Sequence, residues 1–496
     1  MAKALEARRM PKKDYEARVP LVREELIQLQ VALQHAGIRM LVVVGGDEAA
    51  GKGEVVNLLN AWLDPRGVQT FAFHAPTEEE RQRPPMWRYW RSLPPRGRAA
   101  IYFGGWHADA LAQEPKSPRE LAEFNRMLGR LVHFETLLVA DDTLIVKVWL
   151  RLARAEQKAR LTELEKDPDT AWRVTADDWK RHRAYDRSTR LAERMRRATH
   201  LPESPWQIID AADIRARNLS VAQHVLARFK SHQLHRRVAP KAAPRPARVV
   251  ALRREGLKLL RNIQLEHHLT EEAYAAKRDK WLGRLNRLVR AAAAQQRSIV
   301  WVFEGWDAAG KGGAIRRLTS AIDARDYRVI PVAKPTDEEK AHHYLWRFWR
   351  DVPGAGRVTI YDRSWYGRVL VERIEGFCRP DEWRRAYDEL QNFETQLTDH
   401  GIVVVKFWLH LSKEEQLRRF RHREETAYKR HKINEEDWRN RKQWKGYETA
   451  VGDMLVLTNQ KQAPWHLIPA DNKRFARLEI LKLSCYQIAA ALGEDI

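Results

Sequence analysis

The sequence contains little cysteine, since Cys378 and Cys485 are the only two among its 496 residues. Two cysteines cannot form the disulfide framework of a small secreted protein, so the composition favours a reducing, cytoplasmic compartment. No apolar run approaches the ~20 residues of a membrane-spanning helix, which disfavours a membrane protein. The opening residues, MAKALEARRM, also lack the apolar core of a secretory signal peptide.

Acidic residues are scarce relative to basic ones. The chain has 89 Lys and Arg residues against 66 Asp and Glu residues, which gives a net charge of +23 and an isoelectric point of about 10.0. A protein with this charge attracts an extended polyanion or many phosphate groups. A generally basic surface explains the charge equally well, so composition alone leaves the partner open.

A glycine-rich loop with the spacing of a phosphate-binding loop lies in the second half of the chain. Residues 302–313 read VFEGWDAAGKGG, in which Gly305, Gly310 and Lys311 match the Walker A pattern G-x-x-x-x-G-K. Backbone N–H groups and a helix N-terminus surround phosphate oxygens in such loops, and the lysine adds a full positive charge. The residues predicted to bind phosphate here are Gly305, Ala308, Gly310, Gly312 and Gly313.

The loop has a second copy at Gly46, Gly51 and Lys52. The separation of the two lysines, 311 − 52 = 259, also relates many other positions of the two halves. These pairs include Trp87 and Trp346, Tyr102 and Tyr361, Trp106 and Trp365, Glu135 and Glu394, Lys147 and Lys406, and Trp206 and Trp465. A spacing kept over so long a stretch indicates a duplicated domain. We therefore predict domains at 1–235 and 251–496, joined by a Pro/Ala-rich linker at 236–250.

Each half alternates apolar strands with helical stretches. The strands predicted in the first half are 40–44, 69–73, 99–103, 144–149 and 207–209, and those in the second are 299–303, 328–332, 357–361, 402–409 and 466–468. A helix is predicted to start at Ser117, because SPRE offers an N-cap, a proline at the first helical position and Glu120 for a capping box. This pattern predicts an α/β fold, a parallel sheet with helices on both faces, present twice in tandem.

Two aspartates of the second half are candidate Mg²⁺ ligands. Asp362 ends an apolar strand about fifty residues after the loop, where P-loop enzymes place their metal-organising Walker B acid. Gly312 replaces the usual Ser or Thr after the loop lysine, so Asp307 is predicted to supply the missing oxygen ligand. Arg363 directly follows Asp362 and is expected to face phosphate from the same strand end.

Basic residues are dense in the segment 412–432, after the fourth strand of the second half. In nucleotide-type kinases a lid at this position closes basic side chains over the phosphates. We predict phosphate contacts from Arg423, Lys429, Arg430 and Lys432, and from Lys334 after the second strand. A solvated basic helix is the alternative. The pair Trp346 and Trp349 is interpreted as core packing.

These segments resemble the polyphosphate kinase 2 family. The segments that carry the resemblance are EGWDAAGKGG, KPTDEE, YLWRFW, IYDRSWYGR, KFWLHLSKEEQ and the basic lid. The resemblance implies a thymidylate-kinase-like P-loop fold and Mg²⁺-dependent phosphoryl transfer between inorganic polyphosphate and nucleotides. It also implies Asp307, Lys311, Asp362 and Arg363 as the active-site core. The two-domain form resembles the subgroup that phosphorylates AMP to ADP.

The first half departs from this pattern at the charged positions. Phe103 and Gly104 stand where the second half has Asp362 and Arg363, and Glu48 replaces Asp307. Further losses are Ala75 for Lys334, Leu164 for Arg423, Thr170 for Lys429 and Ala171 for Arg430. The first half is therefore predicted to be non-catalytic. Its role stays open between a structural part, an interface, a weak polyanion platform and a contributor to a shared site.

Three other functions are compatible with the sequence. An ATP-using nucleotide kinase and a polyphosphate-dependent nucleoside diphosphate kinase share the same motifs. A basic nucleic-acid-binding protein with a vestigial P-loop is the non-enzymatic alternative, although it should carry its charge along a stripe instead of around one cleft. Polyphosphate and AMP or ADP are thus the favoured partners, a membrane and nucleic acid are disfavoured, and base preference, direction and homo-oligomerisation are left open.

Overall fold

The computed structural model describes residues 9–238 and 247–495. Within them the chain forms two compact units, one of residues 9–77, 88–238 and 337–343 and one of residues 78–87, 247–336 and 344–495. The predicted linker 236–250 lies largely outside the described residues. No described helix is long and apolar enough to cross a membrane.

The first half contains a five-stranded sheet in which every neighbouring pair is parallel. Its strands are β1 (Arg39–Gly46), β2 (Val68–Ala72), β3 (Ala99–Phe103), β4 (Thr143–Arg151) and β5 (Trp206–Asp210). They are arranged in the order β2-β3-β1-β4-β5. The predicted strands and the parallel α/β class are confirmed, with boundaries that differ by up to two residues.

The second half repeats this sheet. Its strands are β6 (Ile299–Gly305), β7 (Tyr327–Pro331), β8 (Val358–Asp362), β9 (Val403–His410) and β10 (Trp465–Pro469). The order β10-β9-β6-β8-β7 is the same as in the first half, and all pairs are again parallel. Phe303 of β6 is in register with Asp362 of β8, so the end of β8 lies beside the start of the glycine-rich loop.

Helices connect the strands in both halves. Those of the first half are α1 (Lys12–Ala36), α2 (Lys52–Trp62), α3 (Glu78–Arg81), α4 (Trp87–Arg91), α5 (Gly105–Ala112), α6 (Pro118–Ala140), α7 (Arg154–Lys166), α8 (Ala176–Arg183), α9 (Tyr185–Ala198) and α10 (Ile214–Val238). Those of the second are α11 (Ala247–Arg261), α12 (Glu271–Ala294), α13 (Lys311–Thr319), α14 (Asp337–Lys340), α15 (Trp346–Arg350), α16 (Val371–Ile374), α17 (Pro380–Asp399), α18 (Lys413–Glu425), α19 (Glu435–Lys442), α20 (Trp444–Leu457) and α21 (Lys473–Leu492). Short 3₁₀ turns occur at Ala171–Arg173, Trp365–Arg368 and Ala427–Lys432.

The start of α6 shows how local sequence determines a helix boundary. The Ser117 hydroxyl accepts a hydrogen bond from the Glu120 N–H at 3.2 Å, and Pro118 occupies the first helical position. The predicted N-cap is therefore confirmed. The Glu120 carboxylate accepts a further hydrogen bond from the Lys116 N–H, just before the cap.

A buried ion pair supports the second sheet from one face. The Lys406 ammonium group donates to the Glu394 carboxylate at 2.7 Å, and both side chains are fully buried. Trp365 and Tyr366 donate to the same carboxylate. Since removing one member of such a pair costs about 3–5 kcal/mol, these residues maintain the fold. The first half contains the equivalent buried pair, Lys147 and Glu135, at 2.6 Å.

Large aromatic side chains fill the remainder of the core. Trp349 is fully buried and Trp346 nearly so, which agrees with the core role predicted for this pair. Trp349 packs edge-on against Phe393 with ring centroids 4.9 Å apart. Burying a large apolar side chain contributes about 1.5–3 kcal/mol to stability, so these rings hold the sheet and helices in place around the site.

Candidate active site at the second phosphate loop

The glycine-rich loop connects β6 to α13 and has the backbone conformation of a phosphate-binding loop. Gly305 cannot carry a side chain, because a Cβ there would lie 2.6 Å from the Leu409 carbonyl oxygen. Gly310 has a φ of 107°, which favours glycine, and it precedes the first residue of α13. Ala308 has a φ of 63° although it is not glycine. The loop therefore curls around the N-terminus of α13, as predicted.

Lys311 points back across the loop that it follows. Its ammonium group donates to the Gly305 carbonyl at 2.7 Å and to the Trp306 carbonyl at 3.2 Å. Burial, followed by the charge of nearby Arg363, lowers the pKa of Lys311, whereas Asp307 and Asp362 raise it. The lysine, the arginine and both aspartates thus lie within electrostatic reach of one another.

Asp307 is held by side chains from two directions. Arg363 donates to one carboxylate oxygen at 3.1 Å, and Asn440 of α19 donates to the other at 2.9 Å. The Tyr447 hydroxyl orients Asn440 by donating to its amide oxygen at 3.1 Å. Sequence reasoning missed Asn440, which is 133 residues from Asp307 in the chain.

Asp362 faces the loop from the end of β8. A Cβ placed on Gly312 would lie 3.9 Å from an Asp362 carboxylate oxygen, so the strand-end acid approaches the first turn of α13. The structure thus brings together the four predicted core residues, which are Asp307, Lys311, Asp362 and Arg363. Among the described residues, no three His, Cys, Asp or Glu side chains form a cluster that could hold a metal ion.

Two carboxylates are nevertheless a donor set that fits Mg²⁺. This ion usually binds one or two protein carboxylates and completes its octahedron with waters and substrate phosphates. Asp307 and Asp362 offer hard oxygen ligands next to the phosphate loop. A zinc-type site with three or four His and Cys ligands does not fit these residues.

Arg363 has an unusual backbone conformation. Its φ is 63°, in the left-handed region, and its N–H donates to the Phe303 carbonyl at 3.0 Å. The next residue, Ser364, donates its hydroxyl to the buried Glu304 carboxylate at 2.7 Å. Burial raises the pKa of Glu304, and the Ser364 hydrogen bond opposes that shift. Glu304 and Ser364 therefore anchor the segment that positions Arg363, a role that the sequence analysis did not assign.

Arg419 of α18 supports the loop from behind. Its buried guanidinium donates to the carbonyls of Ala308 and Ala309 and to those of Ala470 and Asp471, at 2.7–3.1 Å. Its remaining N–H donor, at Nε, bonds the Glu415 carboxylate at 2.7 Å, so all five donors of this arginine are used within the protein and its role is structural. Arg160 makes the equivalent contacts with the first loop, which supports this interpretation.

The predicted lid residues are only partly placed near the core. Arg423 lies near Asp437 of α19, whose pKa is raised by burial and by the Asp307 charge and lowered by Arg423. Arg430 is exposed and donates to the Glu424 carbonyl at 2.8 Å. Lys334 is exposed after β7, and the structure records no hydrogen bond or ion pair from its side chain. The side chains of Lys429 and Lys432 lie outside those that the structure describes.

The loop of the first half has the same shape but different surroundings. Lys52 donates to the Gly46 carbonyl at 3.1 Å, as Lys311 does to Gly305. The fully buried Arg217, however, lies against Gly51, where a Cβ would be 1.8 Å from its guanidinium nitrogen. In the second half, nothing lies within 4 Å of the same point on Gly310. Arg217 therefore fills space beside the first loop that is open beside the second.

A parallel sheet of order 2-3-1-4-5, a glycine loop that leads into a helix, and a cluster of lysine, arginine and aspartates together define a P-loop kinase-like phosphotransferase. The profile of the family described as Polyphosphate kinase 2 (PPK2) matches residues 9–237 and 268–494. The chain belongs to the polyphosphate kinase 2 family, as the sequence resemblance predicts.

Relatives match the whole length of the chain. It is 45% identical over 486 residues to the polyphosphate:AMP phosphotransferase of Pseudomonas aeruginosa. The aligned region covers 98% of this chain and 97% of that protein. The chain is 35% identical to the enzyme of the same name from Acinetobacter johnsonii, with coverage of 95% and 96%. A crystal structure of a polyphosphate kinase 2 from Pseudomonas aeruginosa is similar, with a TM-score of 0.86, 41% identity and 97% coverage of both chains. The tandem arrangement is therefore shared with these relatives.

Proposed function

We propose that the chain transfers a phosphoryl group from inorganic polyphosphate to AMP and thereby forms ADP. The observation that carries the proposal is the convergence of Lys311, Arg363, Asp307 and Asp362 at one end of the second sheet. The full-length relatives, which share both halves, are named for this reaction. A cytoplasmic location, which the low cysteine content favours, belongs to the same proposal.

The chemistry requires positioning and charge neutralisation more than covalent participation by the protein. The ammonium group of Lys311 contacts carbonyl oxygens of the loop, and a phosphate oxygen is a stronger acceptor for it. Arg363 uses one guanidinium nitrogen on Asp307 and retains further N–H donors for the oxygens of a moving phosphoryl group. Asp307 and Asp362 would hold Mg²⁺, which supplies neutralisation of phosphate charge.

Only the second half is proposed to carry out transfer. In the first half, an apolar ring at Phe103 cannot hold a cation, and Gly104 offers no side chain to the phosphate. Arg181 instead pairs with Glu48 at 3.2 Å, where the second half has Asn440 and Asp307. Arg181 therefore neutralises the charge of Glu48, which is the first-half equivalent of Asp307.

The proposal is tested with the purified full-length chain, Mg²⁺ and a panel of substrates. We expect ADP from AMP when polyphosphate is the donor, and no ADP in a Lys311→Ala control. Product from ATP but not from polyphosphate would instead identify an ATP-using nucleotide kinase. Faster transfer to ADP or GDP than to AMP would identify a nucleoside diphosphate kinase. Nucleic-acid binding without turnover of any substrate would contradict the enzymatic proposal altogether.

A further inference from the structure

A second group of basic side chains lies beside α13, on residues that the site above does not use. Arg316 and Arg317 belong to α13 itself, and Lys473 and Arg477 lie one turn apart on α21. We call these four residues the α13–α21 cluster. A Cβ on Gly313 would be 3.1 Å from a guanidinium nitrogen of Arg477, so the cluster begins at the first turn after the phosphate loop.

The four cations lack compensating acceptors within the described part of the chain. No hydrogen bond or ion pair is recorded from any of their side chains, although nearby basic residues are paired. Arg418 bonds Glu415 at 2.6 Å, and Arg474 bonds Glu271 at 2.6 Å. Glu415, whose charge acts on Lys473, is also paired with Arg419 at 2.7 Å. Positive charge in the cluster is therefore uncompensated.

Burial and neighbouring cations disfavour the charged forms of Lys473 and Arg477. Partial desolvation, and then the charge of Arg419, lower the pKa of Lys473 to about 8, with Arg418 and Arg477 adding to the effect and Glu415 opposing it. Burial, followed by the charge of Arg317, lowers the pKa of Arg477. Like charges held together at a cost to their ionised forms are typical of sites that receive an anion.

The first half provides an internal comparison. At the equivalent positions it has Asn57, Leu58, Ile214 and Asn218, so all four charges are absent. The structural arginine at position 419, by contrast, is retained there as Arg160. The fold thus forms without the cluster. The four charges are present only in the half that contains the residues proposed for transfer. The residues that maintain the sheet are present in both halves.

We propose that the α13–α21 cluster binds the part of the inorganic polyphosphate chain that lies beyond the phosphate held in the loop. This inference rests on the proposed function. A polyphosphate chain presents a row of charges that can continue from the loop over several cations, whereas AMP has a single phosphate. The cluster therefore determines a preference for long donors over short ones and leaves AMP binding unaffected.

The test compares two full-length double variants with the same change in net charge. The first is Arg316→Asn with Arg477→Asn, which introduces residues of the kind found in the first half. The matched control is Arg325→Asn with Arg379→Asn, at exposed arginines that pair with neighbouring acids. For each protein, Kd is measured by calorimetry with long-chain polyphosphate and with tripolyphosphate, alongside KM for AMP.

We expect the first variant to weaken binding of long-chain polyphosphate about tenfold, because each lost phosphate contact also forfeits counterion release. Its affinity for tripolyphosphate and its KM for AMP should stay within about twofold of the control. Equal losses for the long and short polymers, or no loss, would overturn the inference. An increase in KM for AMP alone would assign the cluster to the nucleotide. Wild-type protein that makes no ADP from polyphosphate would instead refute the proposed function itself.

Discussion

Arg363 allows the backbone and side-chain contributions of one site residue to be separated. Its left-handed φ of 63° costs about 1–2 kcal/mol in a residue with a Cβ. Its partly exposed ion pair with Asp307, at 3.1 Å, contributes up to about 1 kcal/mol. The counterpart Gly104 has a φ of 90°, which glycine adopts without this cost. Backbone strain at this position is therefore present only in the second half, where the arginine side chain is proposed to act.

Two substitutions test this directly. Arg363→Ala and Arg363→Gly both lose the ion pair, but only glycine relieves the left-handed strain. The greater freedom of glycine in the unfolded chain offsets about 0.4–1 kcal/mol of that gain. The glycine variant should therefore be more stable than the alanine variant by about 0.5–1 kcal/mol, which corresponds to a Tm difference of roughly 1–4 °C.

Activity should fall in both variants alike. An arginine that neutralises a moving phosphoryl group contributes about 10³–10⁵ to kcat, so we expect losses of that order in ADP formation from AMP and polyphosphate. Arg363→Lys should recover little, because lysine lacks the planar guanidinium fork. A kcat within about tenfold of wild type, with only KM changed, would make Arg363 a peripheral binder. Equal Tm values for the glycine and alanine variants would refute the strain argument.

Further predictions concern the metal ligands, the two loops and the polyphosphate path. Asp307→Asn and Asp362→Asn should each abolish transfer at saturating Mg²⁺ with little change in Tm; retained activity would remove that residue from the site. Lys311→Ala should lower kcat by orders of magnitude, whereas Lys52→Ala should leave it within about twofold, since binding without catalytic groups gives no turnover; a large effect of Lys52→Ala would imply a shared site. Above pH 8, KM for polyphosphate should rise as Lys473, with a pKa of about 8, loses its charge; Lys473→Arg should remove this dependence, and an identical pH profile in that variant would exclude the lysine.

The sheet and the loop could be predicted because their determinants are local or repeated. Strand β8 is a short apolar run that ends in Asp362, and the glycines of the loop have a fixed spacing. Each strand pattern also occurs in both halves, about 259 residues apart, so each strand prediction had support from two segments. Comparison of the halves also separated charges that maintain the fold, such as Lys406, from those that do not.

The site residues that could not be predicted from the sequence are those brought into the site by tertiary contacts. Asn440 reaches Asp307 only because α19 folds over the loop, and Arg477 reaches Gly313 from a helix more than 150 residues further along the chain. The density of basic residues also did not predict where each side chain points. Arg430 lies in the basic segment, but its side chain donates to the Glu424 carbonyl of the same segment. The loss of charge at the equivalent positions of the first half, such as Asn218 for Arg477, was a signal in the sequence that could have identified the α13–α21 cluster.

The second half is proposed to move phosphoryl groups from polyphosphate to AMP. The most direct measurement is the initial rate of ADP formation by the full-length chain with AMP, Mg²⁺ and polyphosphate as the only donor. Wild-type protein should produce ADP at a rate that depends on polyphosphate, while the Asp362→Asn variant should produce none despite an unchanged Tm. Absence of ADP from the wild type, or an equal rate from the Asp362→Asn variant, would contradict this assignment of the activity to the second half.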